Sequence, residues 1–182
     1  MHISGLLLAF AATASAVDLR AWTGSSCDGA FLACVGLNPN VCCVFSNSAG
    51  SGRLSVSVNA IPNAWRIRTQ ANTGGGCTYM ANEQESNGRT DLCMVYNSRG
   101  DRTGAKYWFL GRKRAAAKSC PAEQAEGKCE ATAEPNALGL MDGTMYNIAG
   151  LSEEKVQELE KIAVTGAGAD AVPAEFEILM EA

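Results

Sequence analysis

The sequence is almost without histidine. Its one copy, His2, falls in a stretch that reads as a removable leader, so the exported chain is expected to carry none. That excludes Ser-His-Asp and Cys-His catalysis, histidine-ligated zinc or copper, and the histidine pairs of many secreted nucleases. Cys-x-x-Cys pairs are missing too, which removes the commonest half of a structural zinc site. There is no Asn-x-Ser/Thr acceptor for N-glycosylation. Internal repeats and low-complexity wall-anchoring tracts are absent. No apolar run reaches the roughly 20 residues needed to cross a bilayer, and the closing "FEILMEA" is too short and acidic for a lipid-anchor tail. "TGAGAD" lacks the Lys-Ser/Thr ending of a phosphate loop. No metal, no cofactor and no transmembrane segment are expected.

What is present begins with the leader. "MHISGLLLAFAATASA" has an apolar stretch from Ile3 to Ala12, followed by the small-x-small pattern Ala14-Ser15-Ala16. Signal peptidase is expected to cut between Ala16 and Val17. All eight cysteines follow that point: Cys27, Cys34, Cys42, Cys43, Cys77, Cys93, Cys120 and Cys129. An even number in an exported chain implies disulfides, because the destination is oxidising. Spacing does not give their connectivity. Cys42 and Cys43 are adjacent on a strand, so they point to opposite faces and take different partners. Cys120 and Cys129 are close enough to form a local loop, leaving the six upstream cysteines to pair among themselves.

Charge divides the chain. Residues 17–114 carry eleven Lys/Arg against six Asp/Glu, and residues 115–182 carry four against thirteen. The tribasic run Arg112-Lys113-Arg114 stands at the boundary. Proteases of the secretory route cut after paired basic residues in extended, exposed segments, so cleavage after Arg114 is expected, with the tail as a C-terminal pro-segment. A solvated basic linker or a nucleic-acid patch is the competing reading. Export and the dispersed arginines argue against nucleic acid as a partner.

Before the boundary, "RLSVSV" alternates at Leu54, Val56 and Val58, and "AWRIRT" sets Arg66 and Arg68 opposite Ile67. Shorter strand candidates are "LRAWT", "FLACV", "VCCVF", "GCTYM", "LCMVY" and "KYWFL", separated by turns such as "GLNPN", "NTGGG" and "ESNGR". Eight short strands between Gly/Asn/Ser turns point to a mainly β fold, a small disulfide-stapled Greek-key or sandwich domain. Beyond it, "LSEEKVQELEKIAVTG" carries a helix signature: Ser152 as N-cap, acids in the first turn, an apolar stripe at Val156, Leu159 and Ile162/Ala163, and Gly166 as stop. A second short helix is expected from Pro173, with Phe176, Leu179 and Met180 on its apolar face. The chain thus divides into a leader (1–16), a disulfide-rich β domain (17–111), a basic hinge and linker (112–136) and an acidic, partly helical C-terminal segment (137–182).

"CDGAFLACVGLNPNVCCVFS", "RLSVSV" and "WRIRTQANTGGGC", with the tail pieces "DGTMYNIAGLSEEKVQELEKIA" and "VPAEFEILM", resemble small secreted fungal cysteine-rich proteins of an uncharacterised group. The β-region, over roughly residues 19–80, also resembles the βγ-crystallin-type Greek key of some microbial killer toxins and plant antimicrobial proteins. The calcium motif of that superfamily does not carry over, since "NSAGSGRLS" lacks its acidic members.

These readings favour a secreted effector or antimicrobial, toxin-like binding protein over an enzyme. Its target would be a host, microbial or cell-wall component. The binding candidates are Trp22, Trp65, Arg66, Arg68, Arg99, Arg102 and Trp108, because aromatic–arginine surfaces are common in hot spots and stack on sugars or bases. A cell-wall structural or carbohydrate-binding protein is the alternative. A histidine-free hydrolase comes third; it would need a carboxylate pair from Asp28, Glu83, Glu85, Asp91 and Asp101, which form no motif. Arg99-Gly100-Asp101 spells an adhesion tripeptide in a polar turn, where such strings arise by chance.

Overall fold

The computed structural model describes residues 17–97, 99–111 and 131–180. Eight strands overlap the eight expected stretches, with β5 and β6 displaced several residues toward the C-terminus: β1 Val17–Trp22, β2 Phe31–Leu37, β3 Val41–Val44, β4 Ser55–Asn59, β5 Ile67–Thr73, β6 Tyr79–Glu85, β7 Leu92–Met94 and β8 Gly104–Phe109. After the tribasic segment come β9 Ala131–Ala133, β10 Ala137–Gly139, β11 Met145–Asn147, the helix α1 Glu153–Val164 and β12 Ile178–Met180. The fold is mainly β, stapled by disulfides, with a helical C-terminal segment.

The strands form two sheets. One has seven strands in the order β12-β11-β10-β2-β1-β4-β7, and the other has five in the order β6-β5-β8-β3-β9. Side chains that alternate inward from both meet in one core: Leu19 and Ala21 of β1, Val56 and Val58 of β4, Ile67 and Ala71 of β5, Ala105 and Tyr107 of β8. Each large apolar side chain buried there contributes about 1.5–3 kcal/mol. Cys34 and Cys43 join the two sheets across this core, while Cys42 points the other way and bonds to Cys77. Adjacent cysteines on one strand therefore do take partners on opposite faces. The third bridge, Cys27–Cys93, ties the β1–β2 connection to β7. Cys120 and Cys129 lie outside the described residues, as do Ala16 and Arg112-Lys113-Arg114.

The helix begins where its cap predicts. The Ser152 hydroxyl accepts from the Lys155 N–H at 3.4 Å, Glu153 and Glu154 occupy the first turn, and Gly166 (φ +79°) follows the last turn. Leu159 and Ala163 are buried in the core. A short 3-10 turn, Ala169–Ala171, follows α1, but among the described residues no helix starts at Pro173. Pro173 to Phe176 make one turn, closed by the Phe176 N–H on the Pro173 carbonyl at 3.1 Å, and β12 then pairs with β11. The piece is too short to repay helix nucleation, whereas an open strand edge offers it partners at once. The segment read as hinge and linker also supplies structure, since β9 runs parallel to β3.

Candidate binding face

Alternation fixes the outer face of the five-stranded sheet. With Ile67, Thr69 and Ala71 turned inward, Arg68 and Gln70 of β5 face out; with Ala105 and Tyr107 inward, Lys106 and Trp108 of β8 do the same. Register sets them side by side. Arg68 stands between Trp108 and Glu85, and Gln70 between Lys106 and Glu83. The Arg68 guanidinium donates to Glu85 and lies 3.4 Å from Glu83. The Glu85 hydrogen bond, with the charges of both glutamates, raises its pKa further above an already high ordinary value. The Leu110 N–H donates to the Arg66 carbonyl at 2.8 Å, so the ladder continues past the strand and the exposed Arg66 extends the same outward row.

Three of the seven binding candidates, Arg66, Arg68 and Trp108, are thus brought together. The others are not. Trp65 packs edge-on against Phe109 with centroids 4.7 Å apart, at the margin of the core. Trp22 lies on the outer face of the other sheet, its ring 4.3 Å from Phe31 and its Nε1–H donating to Ser57 Oγ at 2.8 Å. Arg99 is exposed in the loop after β7. Arg102 is 0% exposed and cannot meet a ligand. Its Nη1 donates to the Gly100 carbonyl at 2.5 Å and its Nη2 to Asn97 Oδ1 at 3.2 Å, with the guanidinium 5.2 Å from the Tyr96 ring centroid. Burial pulls its pKa down. Arg102 is a structural cation that holds its loop. The neighbouring adhesion tripeptide is committed as well, because Asp101 Oδ2 accepts from the Ser51 and Gly52 N–H groups at 3.2 and 3.0 Å.

A shallow depression of about 420 Å³ opens on the same sheet beside the Cys42–Cys77 bridge, lined by the Gly74-Gly75-Gly76 turn and Thr132. Tyr79, 66% exposed, stands next to it. Its ring lies over Gly74, where an added Cβ would be 2.5 Å from Cδ2. Gly74 has φ +84°, so the turn needs glycine for both backbone and space. Sequence reasoning passed over this feature; the triple glycine before Cys77 was its visible signal.

The five acids considered for hydrolysis are scattered and engaged. Asp28 accepts from the Ser26 N–H at 3.0 Å. Asp91 accepts from the Thr90 hydroxyl at 2.7 Å and from Asn59 at 2.9 Å, and these bonds hold its pKa below the ordinary value. Glu83 and Glu85 share Arg68. Among the described residues no three of His, Cys, Asp and Glu cluster as metal ligands, and no helix is long and apolar enough to cross a membrane.

The chain is similar to an uncharacterized secreted protein of Arthroderma benhamiae, 25% identical over 171 residues, which covers 93% of this chain and 87% of that one. No solved structure matches, so the crystallin-type resemblance has no counterpart there. Residues 18–136, running from β1 to the residue before β10, match the family described as ARB_05566_N, N-terminal domain. The chain belongs to the ARB_05566_N family.

Proposed function

We propose that this chain is an exported, non-enzymatic binding protein of the effector or antimicrobial type, and that it meets its target with the outer face of the five-stranded sheet. A leader-like N-terminus, three disulfides and a relative named as secreted support export. The observation that carries the binding role is the strand register that sets Arg66, Arg68 and Trp108 in one outward row. A rigid sheet presents such side chains at low entropic cost, and Trp and Arg are the residues that dominate hot spots. Maturation by cleavage after Arg114 belongs to this reading.

A carbohydrate ligand of the cell wall is the second reading. It draws on the same row, where Trp108 lies across from Arg68 with Gln70 two residues further along β5, side chains that can bond to sugar hydroxyls, and on the exposed Tyr79 ring.

The test compares the purified protein with a Trp108→Ala/Arg68→Ala variant of unchanged fold. The assays are growth inhibition, leaf infiltration and pull-down on wall glycans. Activity in either of the first two that the variant loses supports the effector reading. Retention on glycans that the variant loses supports the wall reading. A variant as active as its parent in every assay overturns the assignment of this face. Mass spectrometry of the secreted product decides processing: a single chain ending at Ala182 means that no cut follows Arg114.

A further inference from the structure

The seven-stranded sheet is completed by residues from beyond the tribasic segment. β10 runs antiparallel to β2, pairing Ala137 with Ala33, Leu138 with Leu32 and Gly139 with Phe31. Asn136 lengthens this ladder with its side chain. Its Oδ1 accepts from the Val35 N–H at 2.7 Å and its Nδ2 donates to the Val35 carbonyl at 3.1 Å, while its own N–H donates to the Ala33 carbonyl at 2.9 Å. One amide side chain thus satisfies both backbone groups of Val35, as another strand residue would. Leu138, Leu140, Tyr146 and Ile148, with Leu159 and Ala163 of α1, share a single core with Leu19 and Leu32. Arg53, 5% exposed, donates to Glu160 of α1. The three disulfides all join residues between 27 and 93, so none of them ties residues 131–180 to the rest.

We infer that β2 presents an interaction edge whose partner is this chain's own C-terminal segment, held as a donor strand, so that severing the chain between Gly111 and Ala131 leaves a two-piece protein that stays assembled. Without the segment, β2 would become an open edge with unpaired N–H and C=O groups next to an apolar face. The inner face of that sheet would lose the cover that Leu159, Ala163 and Phe176 provide, and Arg53 would be left without its carboxylate. Strand addition of this kind draws affinity from main-chain hydrogen bonds and specificity from alternate side chains, and both are present at β10. The inference deepens the proposed processing: a cut after Arg114 would convert one chain into two without releasing the acidic piece.

The test uses the full chain carrying a recognition sequence for a site-specific protease in place of Ala115, Ala116 and Ala117, cut after folding. Denaturing electrophoresis without reductant must show two pieces; a single band would reveal a disulfide tether and overturn the non-covalent assembly. In native gel filtration the pieces are expected to co-elute at the uncut volume and to part only in denaturant. Separate elution as soon as the chain is cut would refute the inference. Asn136→Ala, which removes the paired bonds to Val35, is expected to weaken reassembly of the cut pieces about tenfold. This readout does not depend on whether the natural product is processed or on what it binds.

Discussion

The ring of Phe31 occupies the space that a side chain at position 139 would need. A Cβ built on Gly139 would lie 2.0 Å from Phe31 Cζ, although the two residues are paired across β2 and β10. Phe31 is 2% exposed, covered from the other side by Trp22. Gly139→Ala is therefore expected to destabilise the protein by about 1–3 kcal/mol through overpacking. Urea unfolding measures this. In a Phe31→Leu background the same change should cost less, because the clash and the ring are removed together. An unchanged midpoint for Gly139→Ala would show that Phe31 moves aside freely.

Arg53 and Glu160 form the second link between the β-region and the tail. Burial lowers the Arg53 pKa, and the hydrogen-bonded carboxylate opposes that shift. Removing the carboxylate leaves a desolvated cation, so Glu160→Ala is expected to cost about 1–3 kcal/mol, less than for a fully buried pair because Glu160 stays partly exposed. Replacing both, Arg53→Met with Glu160→Leu, should recover most of that loss, since an apolar pair avoids desolvation altogether. A double-mutant cycle on thermal unfolding reads the coupling, and additive losses would refute it.

Those two contacts also mark where the sequence ceased to be informative. Strands such as "RLSVSV" were legible because Val56 and Val58 fill the core face while Ser55 and Ser57 take hydrogen bonds on the other, which forces alternation, and the helix was legible because Ser152, its acids and Gly166 are local signals. β10 and β11 were not. Each is three residues long, too short for a period of two to show, and both are held by the sheet they join. The opposed partners of Cys42 and Cys43 followed from strand geometry, whereas the pairing itself needed the fold. For the binding face, residue type pointed to arginine and tryptophan, but only cross-strand register separated Arg66, Arg68 and Trp108 from the buried Arg102 and the inward Trp65.

The three bridges differ in exposure and reach. Cys93 is exposed and Cys27 half-buried, whereas Cys34 and Cys43 are enclosed by the core. Mild reductant is expected to open Cys27–Cys93 first, as timed alkylation and peptide mapping would show. This bridge closes a span of 66 residues, against 9 for Cys34–Cys43. Chain entropy alone then assigns it about 4 kcal/mol, against about 2.6 for the short one. The exposed bridge should thus be both the fastest to reduce and a costly one to lose. Opening of Cys34–Cys43 ahead of it would mean that the sheets part more readily than their packing implies.

Tyr107 lies at the centre of the core, and its hydroxyl donates to the Leu37 carbonyl at 2.7 Å. Burial pushes its pKa up from 10.0 to about 12. The folded state therefore prefers the neutral phenol. The associated stability is fully present below pH 10 and is lost as pH rises through about 12, a decline of about 3 kcal/mol. Tyr107→Phe is expected to cost about 1 kcal/mol at neutral pH, because the Leu37 carbonyl loses its donor. The same variant should show a flatter loss of stability above pH 10. Some slope will remain, since burial also raises the pKa of Tyr146. Ultraviolet titration of the folded protein, set beside urea unfolding at a series of alkaline pH values, checks both statements. If every tyrosine ionises together near its ordinary value, the phenol is in contact with water and the enclosed core described for it is wrong.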